Sequence, residues 1–186
     1  MRRQTKEKEY FELKIEILQS LGSWAACCAE RSLLIYESAV PADNRPRLAL
    51  ESIRDFAETG KRTNKLRKAA MDAYRASLEA KDLAASAAAR SAGLAAASAF
   101  THPFKDVSQA EHILGPAAYA ALALELNNKG DQKTGDNEVA WAIENVDNET
   151  AALLDKMPAR DTGNKRIEQL LFHLDSGIRD KYKIQV

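Results

Sequence analysis

The side chains of this 186-residue chain that could carry chemistry are three histidines, two adjacent cysteines and a set of arginines near helix junctions. The histidines are isolated. Ala99, Gln109 and Leu170 stand three residues before His102, His112 and His173, so there is no Glu-x-x-His pair for a di-iron bundle. HExxH, the helical zinc motif, is also absent. Cys27 and Cys28 fall on one predicted helix, about 100° apart around its axis, and cannot bridge each other. TGKRTNK at 59–65 has the outline of a phosphate loop, but Asp55 stands where that loop needs glycine and Arg62 where it needs Ser or Thr. No G-x-S-x-G elbow occurs. The sequence gives no ground for a catalytic residue, a metal or a cofactor.

The arginines ask for a different explanation. In PADNRPRLALESIRDF (41–56), Pro46 suits the first turn of a helix, yet Arg45 and Arg47 flank it where the helix dipole repels cations. Arg47, Glu51, Arg54 and Glu58 then follow at four, three and four residues, an alternating ribbon that gives Arg47 a partner in Glu51. Arg45 has no such partner, so a brace to the preceding helix is expected, received by Glu37 or Asp43. In CAERSLLIYE (28–37), Arg31 lies on or beside the apolar face through Trp24, Cys28 and Ile35. Burying it unpaired would be costly. Glu30 points elsewhere, which leaves Glu37, Asp43 and Glu51 as candidate partners. His102 precedes Pro103 at a helix break, where it is expected to tie down the loop. The alternative is a cleft in which Arg31, Arg45 and His102 accept an acidic ligand.

Lys+Arg and Asp+Glu cancel at 27 each, but they are separated along the chain. Residues 45–75 carry nine basic and four acidic side chains, and residues 125–161 carry nine acidic and four basic. Lys61, Arg62, Lys65, Arg67 and Lys68 crowd the start of one helix. Asp136, Glu138, Glu144, Asp147 and Glu149 lie in the acidic stretch. Each group is a candidate partner-binding surface, and the two could also neutralise each other in the fold. With no aromatic interleaved to stack bases, the basic group is a poor fit to nucleic acid.

These side chains must be positioned by helices. An apolar fraction of 45% and a charged fraction of 29% fit a folded globular domain, and strand signals are nearly absent. The pattern predicts an all-α bundle of roughly eight helices in one domain. A first helix should close at Gly22 and a second begin at Ser23. A third starts at Asp43 or Asn44 and ends at Gly60. Thr63–Phe100 is alanine-rich and should form two closely packed helices that break near Lys81-Asp82. A helix over about 106–126 follows, then a polar linker, NNKGDQKTGDN (127–137), and a tail at 138–186 with helices around 138–145, 148–157 and 164–181. The tail's Ile167, Leu170, Leu171, Leu174 and Ile178 must bury against the rest. No segment has the roughly 18–20 apolar residues of a membrane span. MRRQTKEKEYFELKIEIL at the start lacks the apolar core of a secretory signal, which points to the cytoplasm.

The C-A-E-R element at 28–31, the D-x-R-P-R box at 43–47, ARSAGLAAASAFTH and ILGPAAYAALALEL together resemble a bacterial group of putative immunity proteins with an Imm-5-like domain. The likeness runs over about residues 22–126, and LFHLDSGIR (171–179) is similar to that group's ending. A histidine expected near Leu94 is absent. The resemblance implies an all-helical cytosolic protein that binds and neutralises a partner toxin without catalysis. The acidic stretch would suit a basic toxin and the basic stretch an acidic one, with the acidic stretch slightly favoured.

Overall fold

Alanine and straight-chain residues lose little on entering a helix, and helix is what this sequence forms almost throughout. The computed structural model describes residues 9–185. The helices are α1 (Ile15–Ala39), α2 (Arg45–Thr59), α3 (Asn64–Glu79), α4 (Leu83–Ala97), α5 (Val107–Asn127), α6 (Gln132–Glu144), α7 (Asn148–Asp155) and α8 (Arg166–Gln185). A single 3-10 turn, Ser98–Phe100, follows α4. Among the described residues there is no strand, only an isolated bridge between Tyr10 and Phe104. The predicted all-α bundle of eight helices is therefore observed. Short polar side chains start most of the helices. Thr63, Asp82, Asp106, Asp131 and Asp147 each accept a backbone N–H from the first turn that follows.

Two boundaries differ from those read in the sequence. Gly22 and Ser23 do not divide two helices, because α1 runs through both for 25 residues. Glycine is there for close approach: a Cβ on Gly22 would meet Ile53 Cδ1 of α2 at 3.1 Å. The polar run at 127–137 is not a linker along its length. It turns at 128–131, with Lys129 and Gly130 at positive φ, and Gln132 already begins α6. Asp131 caps that helix and Val139 and Ala142 bury its inner face, and these outweigh the polar composition. The first eight residues, on which part of the N-terminal reading rests, lie outside the described residues, as does Val186.

α4 is the axis of the bundle and packs against α1, α2, α3 and α5. Eleven of its fifteen residues are buried, most of them alanine. Small side chains let neighbouring backbones close in: a Cβ on Gly93 would stand 3.2 Å from Ala70 O and Tyr74 N of α3. The bulkier core lies between α1 and α2, where Leu21, Leu33, Leu50, Ile53 and Phe56 are at most 1% exposed. Leu170, Leu171, Leu174 and Ile178 of α8 join the same apolar cluster, as their stripe predicted. No helix of the described residues is long and apolar enough to cross a membrane.

Candidate functional site

The α1–α2 corner is built around Asp43. Its carboxylate accepts the Tyr36 hydroxyl at 2.7 Å, the Arg45 backbone N–H at 3.0 Å and the Arg45 guanidinium at 2.5–3.0 Å. Arg45 also reaches Glu79 at the end of α3, at 2.5 Å. Arg45 thus pairs with Asp43, one of its two expected receivers, and with Glu79, while the link to α1 runs through the Tyr36 hydroxyl on the same Asp43 carboxylate. Two carboxylates offset the cation's conflict with the α2 dipole. The Arg45 guanidinium, with the Tyr36 hydroxyl and the Arg45 amide, holds the Asp43 carboxyl down to about 2. Burial, and then the hydrogen bond to Asp43, push the Tyr36 phenol up to about 12.

Arg47 departs from the expected ribbon. Its partner is Glu37 of α1, held by two parallel bonds of 2.5 and 2.8 Å, rather than Glu51 of its own helix. A forked guanidinium gains more from two aligned bonds than from one exposed i,i+4 contact. Arg54 pairs with Glu30 at 3.0 Å. α2 is thereby laced to α1 along their shared edge.

Arg31 also finds a different partner. Its guanidinium grips Glu138 of α6 through both carboxylate oxygens and lies 3.9 Å from the centroid of the Trp141 ring. Of the expected partners, Glu37 is taken by Arg47 and Asp43 by Arg45. The face carrying Trp24 and Arg31 looks toward α6, where Trp24 Nε1 donates to Ala142 O at 3.1 Å. Glu138 fell at the predicted start of the tail. Its i,i+3 spacing to Trp141 was the signal that could have marked it as a clamp. Arg166 of α8 forms a second clamp, on buried Glu125 at 2.8 Å and on Asp136 at 2.7 Å. Asp147 is the cap of α7. Glu144 and Glu149 are exposed. Much of the acidic stretch is therefore occupied inside the fold.

Lys61, Arg62, Lys65, Arg67 and Lys68 are exposed at the α2–α3 turn. Lys65 is 4.0 Å from Asp55, and Lys68 is 2.5 Å from Asp72. Arg67 lies over the Phe100 ring, 4.9 Å from its centroid. Arg62, Arg67, Phe100 and His102 line one open hollow of about 350 Å³. The loop at His102 is held by its backbone N–H, which donates to Gln109 Oε1 at 2.9 Å, while the imidazole expected to tie it stacks on Phe104. Arg31, Arg45 and His102 are not brought together. Arg31 is clamped to α6, Arg45 to Asp43 and Glu79, and His102 belongs to the basic hollow.

A further surface carried little sequence signal. Met71, Tyr74, Leu78, Leu83, Arg90 and Tyr119 surround two adjoining open hollows of about 270 and 490 Å³ on the outer side of α3, α4 and α5. Met71 is 49% exposed, Leu78 68% and Leu83 72%. Alanine richness masked this surface, because it gave no contrast between the inner and outer faces of α4.

A family model described as Imm-5 like putative immunity protein matches residues 13–149. The matched stretch takes in the α1–α2 corner, the basic turn, the apolar hollows and the α6 clamp. It stops before α8, so LFHLDSGIR lies outside it. No curated protein and no solved structure matches the chain.

Proposed function

The chain belongs to the Imm-5 like putative immunity protein family, and from that membership we propose that it binds a cognate bacterial toxin in the cytoplasm and neutralises it by stoichiometric occlusion, without catalysis. The family match over residues 13–149 is the observation that carries this reading. The ion pairs support it. Asp43, Arg45, Arg47, Arg31 and Glu138 join one helix to another, as suits a rigid scaffold that presents a surface. Complementary charge on such a surface would speed encounter and select the partner.

The test is co-expression with the product of each neighbouring reading frame of the native genome that arrests growth when expressed alone. The expected result is restored growth, with a complex of fixed stoichiometry on gel filtration. Unrestored growth at matched expression would refute the proposal.

One observation favours a second reading, a nucleic-acid-associated adaptor: the fold brings Phe100 and His102 beside Arg62 and Arg67. Since Arg67 already covers the Phe100 ring, stacking there would require its displacement. Binding of labelled single-stranded RNA or DNA that weakens steeply between 50 and 200 mM salt would favour this reading over the first.

A further inference from the structure

The outer stripe of α4 runs Leu83, Ser86, Arg90 and Ala97, at helical spacing, and forms a floor. Met71, Tyr74 and Leu78 of α3 wall one side, and Tyr119, Leu122 and Leu126 of α5 wall the other end. The floor is recessed because α4 is built from small residues and lies so close to α3 at Gly93. From Leu83 to Ala97 it spans about 21 Å at 1.5 Å per residue, the length of a four-turn helix. Exposed Leu78 and Leu83 beside two joined hollows make a contiguous apolar patch of the kind that marks an interaction site.

The charge in this groove specifies the occupant. Arg90 sits where the two hollows meet, its guanidinium 4.3 Å from the Tyr74 centroid and 5.8 Å from that of Tyr119. Among the described residues it has no carboxylate partner, unlike Arg31, Arg45, Arg47, Arg54, Arg166 and Arg179. Arg67 stands one helical stripe along α3 from Met71, Tyr74 and Leu78 and also lacks a carboxylate, so the groove ends on the basic turn. A half-buried guanidinium framed by aromatic rings and apolar walls is set to receive a carboxylate from outside.

We propose that the α3–α4–α5 groove is the docking site for an amphipathic helix of the partner, with an apolar stripe interrupted by one Asp or Glu that pairs with Arg90. This inference rests on the immunity reading only for the identity of the partner as a toxin. The recognition mode is helix-in-groove, read as anchors at i, i+3 or i+4, and i+7.

A phage-displayed library of 16-residue helix-biased peptides, panned on the whole chain with a Leu83→Glu variant as subtractive target, tests the groove. Leu83 is exposed, so this variant should melt like the wild type. Enriched peptides should carry Leu, Ile, Met or Phe at helical spacing with an acid in the central turn. Their affinity should fall about tenfold with Arg90→Gln, and no further when the peptide's acid is also replaced. Failure to enrich any peptide dependent on Leu83, enrichment of basic peptides, or indifference to Arg90→Gln would each overturn the proposal. So would a dimer of the free chain that Leu83→Glu dissociates, since a second copy would then be the occupant. With a neutralised toxin in hand, loss of protection by Leu83→Glu supports the groove as the toxin site. Protection that survives it overturns the groove and leaves the immunity reading intact. Failure of the wild type to protect overturns that reading, while the peptide result still stands for the groove.

Discussion

Replacing Asp43 with alanine strips one carboxylate from three groups at the α1–α2 corner: the Tyr36 hydroxyl, the Arg45 amide and the Arg45 guanidinium. Tyr36 is only 1% exposed, so its hydroxyl would be left without a partner in a site that water barely reaches. An unsatisfied buried donor costs about 1–3 kcal/mol. The guanidinium keeps Glu79 and is 29% exposed, so its loss is smaller, about 1 kcal/mol. The total comes to about 2–4 kcal/mol, or roughly 5–15 °C in Tm for a chain of this length. Urea and thermal denaturation of Asp43→Ala, Tyr36→Phe and the double variant measure it. If the tyrosine hydroxyl carries the larger share, Asp43→Ala should cost only about 1 kcal/mol in the Tyr36→Phe background, the part due to the guanidinium.

Acid adds an independent check. The Asp43 carboxyl is lowered from 3.8 to about 2 in the fold. A depressed carboxyl contributes stability above its unfolded pKa and loses it as pH falls through the folded one. The gap in Tm between wild type and Asp43→Ala should thus be full above about pH 5 and narrow steadily toward pH 2. A variant within ~0.5 kcal/mol of wild type at neutral pH, or a gap that does not narrow between pH 5 and pH 2, would refute the account of this corner.

Three further outcomes follow from the same contacts. Glu138→Ala should cost about 1–3 kcal/mol, below the roughly 3–5 kcal/mol of breaking a fully buried pair, because Arg31 is 39% exposed and can rehydrate; amide hydrogen exchange should accelerate in α6 more than in α2. Arg166→Ala should be worse, about 3–5 kcal/mol, since it strands the buried Glu125 carboxylate, and Glu125→Gln in that background should recover part of the loss in a urea titration. Iodoacetamide should label exposed Cys27 and spare buried Cys28, whose thiol burial pushes well above its ordinary pKa; mass mapping of the native protein after brief exposure reads the difference.

Local chemistry was legible in the sequence and pairing at a distance was not. The break at Lys81-Asp82, the stop at Gly60 and the stripe of α8 all depend on neighbours within a few residues, and the sequence pattern shows each of them. Gly22 was misread because a glycine that ends a helix and one that admits another helix look alike in one dimension. The position of Arg31 beside an apolar face shows that it needs a carboxylate, but Glu138 lies 107 residues away, and only the packing of α6 on α1 decides between it and nearer acids. The groove has no mark in the sequence for a related reason. Hydrophobic contrast marks the inner face of an ordinary amphipathic helix, whereas α4 offers alanine on nearly every side.

Alanine links the scaffold to its recess. A helix of small side chains buries little area per residue, so it is stabilised only if its neighbours come close enough to touch along their length. α3 and α5 do so, and as they close on α4 their own larger outer side chains, Tyr74, Leu78, Tyr119 and Leu126, rise above it as walls. The groove is thus a consequence of how the core is filled. Of its floor residues, Ser86 and Ala97 have little or no rotamer freedom to lose when a helix docks, so the ordering cost of binding falls mainly on the walls, Leu83 and Arg90. The ion pairs at the corners complete the logic: by fixing α2 and α6 to α1 and α8 to α5 and α6, they keep the bundle from relaxing into the space that the small residues leave.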